Sequence, residues 1–132
     1  MALKGQRGSA ALELAIVGPV LMLLVLGILQ FGLWYHAEHV TKTAAVEAAR
    51  AAAAEDGRAE QARARAAEVM RAGLGSAAED PVVEVSIGSR TARVRISAHM
   101  RGLLPIPAFS SLRLSAEATA YRERFRPAGD AP

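Results

Sequence analysis

The sequence predicts an α+β protein: a long N-terminal transmembrane helix that continues into an alanine-rich helix, a second helix, and a small three-stranded antiparallel sheet on which the second helix packs. Three observations predict it. A long uncharged apolar run lies near the N-terminus, an alanine-rich region follows, and apolar residues then alternate with polar ones. We divide the chain into a basic leader (1–8), a transmembrane helix (9–35), a helical stalk and second helix (36–80), a β-sheet (81–125) and a disordered tail (126–132).

The apolar run from Leu14 to Tyr35 predicts the membrane span. It contains no formal charge, and at 1.5 Å per residue it covers about 33 Å, enough for the hydrocarbon core. Trp34 and Tyr35 end it, as aromatic residues do at membrane interfaces. Lys4 and Arg7 precede it without an acid, which predicts a cytoplasmic N-terminus, a single pass through the cell (inner) membrane and an extracytoplasmic C-terminal domain. The alternative is a removed signal peptide, but the run is long and no Ala-x-Ala site follows directly.

Two helical segments follow the span. Residues 36–55 contain many alanines and neither proline nor glycine, which favours helix. Asp56 and Gly57 break the pattern, and residues 58–72 form a second alanine-rich segment, which Gly73 and Gly75 end. Residues spaced by four place a narrow stripe of small apolar side chains on the first segment: Val40, Ala44, Ala48 and Ala52.

Three alternating runs predict the sheet, at residues 82–87, 91–98 and 112–120. Gly88-Ser89-Arg90 is a turn signal between the first two, and an apolar loop, 102–110, separates the last two. A three-stranded sheet with one apolar face needs a cover, for which we expect helix 58–72. Val94 and Leu114 then belong to the core.

Composition argues against several functions. The chain has no cysteine, which excludes disulfides and a cysteine nucleophile, and its net charge of +3 is too small to indicate nucleic-acid binding. No Ser-His-Asp order, carboxylate pair or phosphate loop stands out. His36 and His39 share a helix face, but no third metal ligand lies nearby. We therefore expect neither an enzyme nor a cofactor, and the arginines of the strands are expected on a solvated face.

The most informative site is the junction of the basic leader with the apolar run. Glu13 stands there, where a charge costs up to about 3 kcal/mol if it enters the bilayer, and such acids are often functional. The alternative is that Glu13 only reaches back to the headgroups. Gly8 and Ser9 precede it at the end of the basic segment.

This pattern resembles the type IV pilin-like proteins, which carry a basic leader, a glycine and a glutamate five residues later. The resemblance implies that a prepilin peptidase cleaves between Gly8 and Ser9, and that Glu13 pairs with the N-terminal amine of a neighbouring subunit during assembly. A glycine suits such a cut because an extended chain without a side chain approaches the enzyme closely.

The chain resembles more narrowly the TadE-like family of tight-adherence (Flp) pilus systems. The similar segments are Arg7 to Ala15, Pro19, the stretch Gly27 to Gly32, the alanine-rich Ala44 to Arg50, and the late strand Ala118 to Arg122. Pro19, Gly27 and Gly32 are candidates for membrane-helix packing. Two positions depart from the pattern: Gln30 replaces the family's usual acid, and Ser9 is not the aromatic first residue of many true pilins.

The resemblance implies a pilin-like fold and a minor pseudopilin, membrane-anchored, that takes part in assembling a Tad/Flp type IV pilus or a related secretion apparatus. Its expected partners are a prepilin peptidase, other pilins or pseudopilins, inner-membrane pilus assembly proteins and the lipid bilayer. The alternative is an uncleaved, membrane-anchored extracytoplasmic binding module, and the N-terminus of the mature protein distinguishes the two.

Overall fold

The computed structural model describes residues 4–104 and 106–122. The elements are helix α1 (Lys4–Ala53), helix α2 (Ala59–Leu74), strands β1 (Ala78–Ile87) and β2 (Thr91–Arg101), a 3₁₀ turn (Pro107–Phe109) and strand β3 (Ser111–Tyr121). The predicted α+β fold is confirmed. Residues 1–3 of the predicted leader and residues 123–132, including the predicted tail 126–132, lie outside the described residues.

Helix α1 is one continuous helix of 50 residues, so the predicted span and stalk form a single rod. It passes through Pro19, which lacks an N–H and leaves one helical hydrogen bond unmade. The predicted break at Asp56-Gly57 is confirmed. The Gly57 N–H donates to the Ala54 carbonyl at 2.9 Å, and a Cβ at residue 57 would lie 2.4 Å from the Ala52 oxygen, so this turn requires glycine.

The three strands are antiparallel in the order β1-β2-β3. In the register, Val94 of β2 lies between Val85 of β1 and Ala118 of β3. Strand β1 begins at Ala78, earlier than the predicted residue 82. It passes Pro81 because β1 is an edge strand and its pairing is interrupted by an irregularity between residues 79 and 82, which accommodates a residue without an N–H.

The apolar face of the sheet is covered mainly by α1, whereas the prediction assigned this cover to helix 58–72. The second half of α1 packs across β3 and β2, whereas α2 packs on α1 and on β1, so α2 is only a partial lid. Val94 and Leu114 are buried, as predicted. The buried stripe on α1 is broader than predicted, because both the sheet and α2 pack on this helix. Small side chains allow each of them to approach it closely. The buried alanines of α1 are Ala37, Ala44, Ala45, Ala48, Ala49, Ala52 and Ala53.

The opposite face of the sheet is charged and exposed. Arg95 of β2 donates to the Glu117 carboxylate of β3 at 2.7 and 3.0 Å, and Arg93 lies 3.4 Å from its other oxygen. The hydrogen bonds from Arg95, with the positive charges of Arg95 and Arg93, lower the pKa of Glu117. The same hydrogen bonds, with the negative charges of Glu117 and Glu84, raise the pKa of Arg95. Because the groups are solvent-exposed, the ion pair orients the strands more than it stabilises the fold.

Candidate membrane and assembly site

The first half of α1 extends away from the rest of the protein. Its most apolar window of 18 residues has a mean hydropathy of 2.6, and none of it is buried. Leu14 is 72 % exposed and Met22 is 66 % exposed. An apolar rod of this length is unfavourable in water and fits the hydrocarbon core of a bilayer. By length and composition, this half of α1 is a membrane anchor.

The predicted cleavage and assembly residues lie together near the start of this anchor. Gly8, Ser9 and Glu13 are all exposed on α1. Ser9 and Glu13 are four residues apart, so they share one helix face about 6 Å apart along the axis. The Gly8–Ser9 bond lies within α1, which begins at Lys4. It is therefore helical, whereas a chain that approaches a protease closely is extended. A protease that cuts here must first open the beginning of the helix, which a glycine makes easier.

The glycines of the anchor leave open space beside the helix, as far as the described residues extend. A Cβ added to Gly8, Gly18, Gly27 or Gly32 would meet nothing within 4 Å. Glycine in a helix interior costs about 1 kcal/mol relative to alanine, and the described fold offers no contact that explains this cost. Gly18 and Gly32 are fourteen residues apart, close to four helical turns, and so lie on nearly the same face. Gly27 points to a different side of α1.

Gln30 is the polar residue whose role the sequence did not reveal. Its side chain is 5 % exposed, and its Oε1 accepts a hydrogen bond from the Leu103 backbone N–H at 2.6 Å. The N–H donor fixes which end of the amide faces Leu103. The Gln30 Nε2 is buried without a partner among the described residues. In the sequence, Gln30 stands out as an isolated polar side chain inside an apolar run. Nothing there indicates a hydrogen-bond donor 73 residues away.

The histidines at the C-terminal end of the anchor contact neighbouring elements. His36 Nε2 lies 3.3 Å from the Gly73 carbonyl at the end of α2, and the His39 ring packs edge-on against Tyr35 at 4.5 Å between centroids. His36 thus joins α1 to α2. Within residues 4–104 and 106–122 no group of three or more metal-ligating side chains comes together.

Comparison with known proteins identifies the N-terminal part of the chain. Residues 8–50 match the model of the family described as TadE-like protein, and this segment contains the whole apolar half of α1 and most of its buried alanines. Comparisons with curated proteins and with solved structures gave no match. This segment is about a third of the chain, and over it the predicted resemblance to the TadE-like family is confirmed.

Proposed function

We propose that this protein is a minor pseudopilin that takes part in assembling a Tad/Flp pilus or a related secretion apparatus. The observation that carries the proposal is the apolar half of α1, an exposed helix within the segment similar to the TadE-like family, at whose glycines an added Cβ would meet none of the described residues within 4 Å. Such a helix suits lateral packing against other membrane helices, where small residues let backbones approach.

In this proposal a prepilin peptidase hydrolyses the Gly8–Ser9 peptide bond on the cytoplasmic side. Water adds across the bond, which gives a carboxylate on Gly8 and a new amine on Ser9. The amine is positively charged near neutral pH, since α-amino groups have a pKa of about 7.7–8.0. Removal of the leader also removes the basic Lys4 and Arg7 from the helix end, so the mature helix can slide against its neighbours.

Glu13 then receives the amine of a neighbouring subunit. Its carboxylate is exposed at the start of the apolar rod, where a charge without a partner is costly. Pairing with an amine compensates that cost and fixes the axial position of one helix relative to the next. Pro19, Gly27 and Gly32 are the proposed packing positions of the helix, and Gly18 adds a fourth on nearly the same face as Gly32.

The proposal also includes the topology and the partners, and the topology is supported by Lys4 and Arg7, which precede the span without an acid. The N-terminus is cytoplasmic and the domain formed by α2 and the sheet is extracytoplasmic, in the cell (inner) membrane. The partners are the peptidase, other pilins or pseudopilins and the inner-membrane assembly proteins. The role is structural, without catalysis or a cofactor.

An assembly experiment tests this function. In a strain deleted for the gene, wild-type protein should restore surface pili or secretion, and Glu13→Ala should not, although it accumulates in the membrane. Glu13→Asp should be intermediate because the shorter side chain keeps the charge but loses reach. The matched control is Glu60→Ala, at an exposed glutamate on α2, which should restore assembly fully. Wild-type assembly by Glu13→Ala would contradict the pairing of Glu13 with a neighbouring amine, and a deletion strain that still assembles pili and secretes would contradict the proposed function itself.

A further inference from the structure

The loop between β2 and β3 exposes apolar side chains beside the membrane anchor. In its described residues, 102–104 and 106–110, Leu103 is 52 % exposed, Ile106 is 42 % exposed and Phe109 is 46 % exposed. The loop shape is specific, since a Cβ at Gly102 would lie 1.6 Å from the Phe109 carbonyl oxygen. A loop that faces water would gain nothing from this apolar tip.

Gln30 sets the depth of the loop. The Leu103 N–H donates to Gln30 Oε1 at 2.6 Å, so the loop lies at the level of residue 30 on α1. Gln30 precedes Trp34 by four residues, about 6 Å along the helix axis. Because Trp34 and Tyr35 mark the interface end of the apolar run, the loop reaches below that interface.

A groove between α1 and the loop continues the apolar surface of the anchor. Its volume is about 430 Å³. Apart from Gln30, it is lined by Gly27, Phe31 and Trp34 of α1, Leu104 and Phe109 of the loop, and Leu112 of β3. Phe31 is itself 63 % exposed. The exposed apolar surface therefore passes without interruption from the anchor to the loop.

Basic side chains border this apolar tip. Arg101 at the end of β2 and Arg113 near the start of β3 are exposed, and they lie on the two strands that the loop joins. Arg101 also pairs with Glu79 of β1. An apolar tip with a basic rim matches a bilayer surface, where acyl chains lie below anionic headgroups.

We propose that the β2–β3 loop inserts into the outer leaflet of the bilayer beside α1, held there by the Gln30–Leu103 hydrogen bond. Lipid acyl chains cover Leu103, Ile106 and Phe109, and lipid phosphates face Arg101 and Arg113. The sheet is thereby attached to the membrane at two points, which fixes its tilt. This inference requires that α1 spans the membrane, but it does not depend on pilus assembly.

Depth-dependent fluorescence quenching tests the proposal. Because the chain has no cysteine, Ile106→Cys introduces one labelling site for an environment-sensitive fluorophore. The full-length variant is reconstituted in vesicles of phosphatidylethanolamine and phosphatidylglycerol that contain nitroxide-labelled lipids. The control is Ser89→Cys, exposed in the turn at the other end of β2, about 30 Å from the loop at 3.3 Å per strand residue.

The probe at residue 106 should emit at shorter wavelength than the probe at residue 89 and be quenched several-fold more strongly by shallow nitroxide lipids. Equal, weak quenching at the two positions would overturn the proposal. A probe at residue 106 that is shielded from aqueous iodide but not quenched by the lipids would also overturn it, because a protein partner would then cover the loop. Gln30→Leu, which removes the acceptor, should weaken the lipid quenching at residue 106.

Discussion

The domain formed by the sheet, α2 and the second half of α1 depends on single buried side chains. Val94 lies at 0 % exposure in the central strand β2, between Val85 and Ala118 of its neighbours. A charge at this position would be surrounded by apolar side chains on three elements. The alternation of apolar residues along the chain was enough to predict this burial, because a strand presents every second side chain to one face.

Val94→Asp should therefore lower the free energy of unfolding by about 3 kcal/mol or more, since it buries an unpaired carboxylate. The measurement is thermal unfolding of the full chain in detergent micelles, followed by circular dichroism of the β-sheet. Thr119→Asp is the control, because Thr119 is exposed on β3, and its effect should stay within about 0.5 kcal/mol. Equal melting of Val94→Asp and the control would contradict the assigned core.

The hydrogen-bond partner of Gln30 could not be predicted from the sequence. A polar side chain in an apolar run is visible in the sequence, but its partner is a backbone N–H at Leu103, and a backbone donor leaves no trace in residue type. The substitution of the family's usual acid by an amide keeps an oxygen acceptor there without a charge. From the sequence, only the loss of the charge at position 30 was evident.

At the scale of elements, the contact of α1 with α2 depends on a glycine. Gly73 lies in the last turn of α2, and a Cβ at this position would lie 2.6 Å from Val40 Cγ1 of α1. Val40 is β-branched and has little rotamer freedom in a helix. The sequence predicted Gly73 only as the end of a helix, whereas in the structure it allows two helices to approach.

Gly73→Ala should destabilise the protein by about 1 kcal/mol, because overpacking costs about 1–3 kcal/mol and outweighs the gain of about 1 kcal/mol in helix propensity. In a Val40→Ala background the same substitution should be neutral or stabilising. Unfolding of the four proteins of this double-mutant cycle gives the coupling energy. An identical effect of Gly73→Ala in both backgrounds would show that the two residues do not touch.

At the element scale, the predicted cover of the sheet was incomplete: α2 does pack on β1, but the main cover is α1. The second alanine-rich segment also has an apolar side, with Ala62, Ala66, Val69 and Met70. Periodicity alone therefore does not decide which of the two segments lies on the sheet. The structure assigns most of the cover to α1, whose rod continues from the membrane along β2 and β3. The breaks after the two helices were predictable from Gly57 and Gly75, because these residues act locally, whereas Gly73 lies inside α2 and does not end it. The packing of one element on another is not a local property.

At the scale of the whole molecule, one helix joins the apolar anchor to the folded α+β domain. Its first half is an exposed apolar rod, and its second half is the main wall of a small α+β domain. The uncharged run predicted the first half directly. The site residues Gly8, Ser9 and Glu13 were located by resemblance, and the structure adds that they lie on one exposed helix end, which is accessible to an enzyme or a neighbouring subunit.

The central claim is that this helix is matured as a pseudopilin. The most direct measurement is intact-protein and N-terminal peptide mass spectrometry of the membrane-purified protein, from cells that contain its prepilin peptidase. We predict a mature chain that begins at Ser9, and a full-length precursor for Gly8→Glu, because a bulky charged side chain blocks the cut. A membrane form of the wild-type protein that still begins at Met1 in those cells would contradict the claim and leave the uncleaved, membrane-anchored binding module.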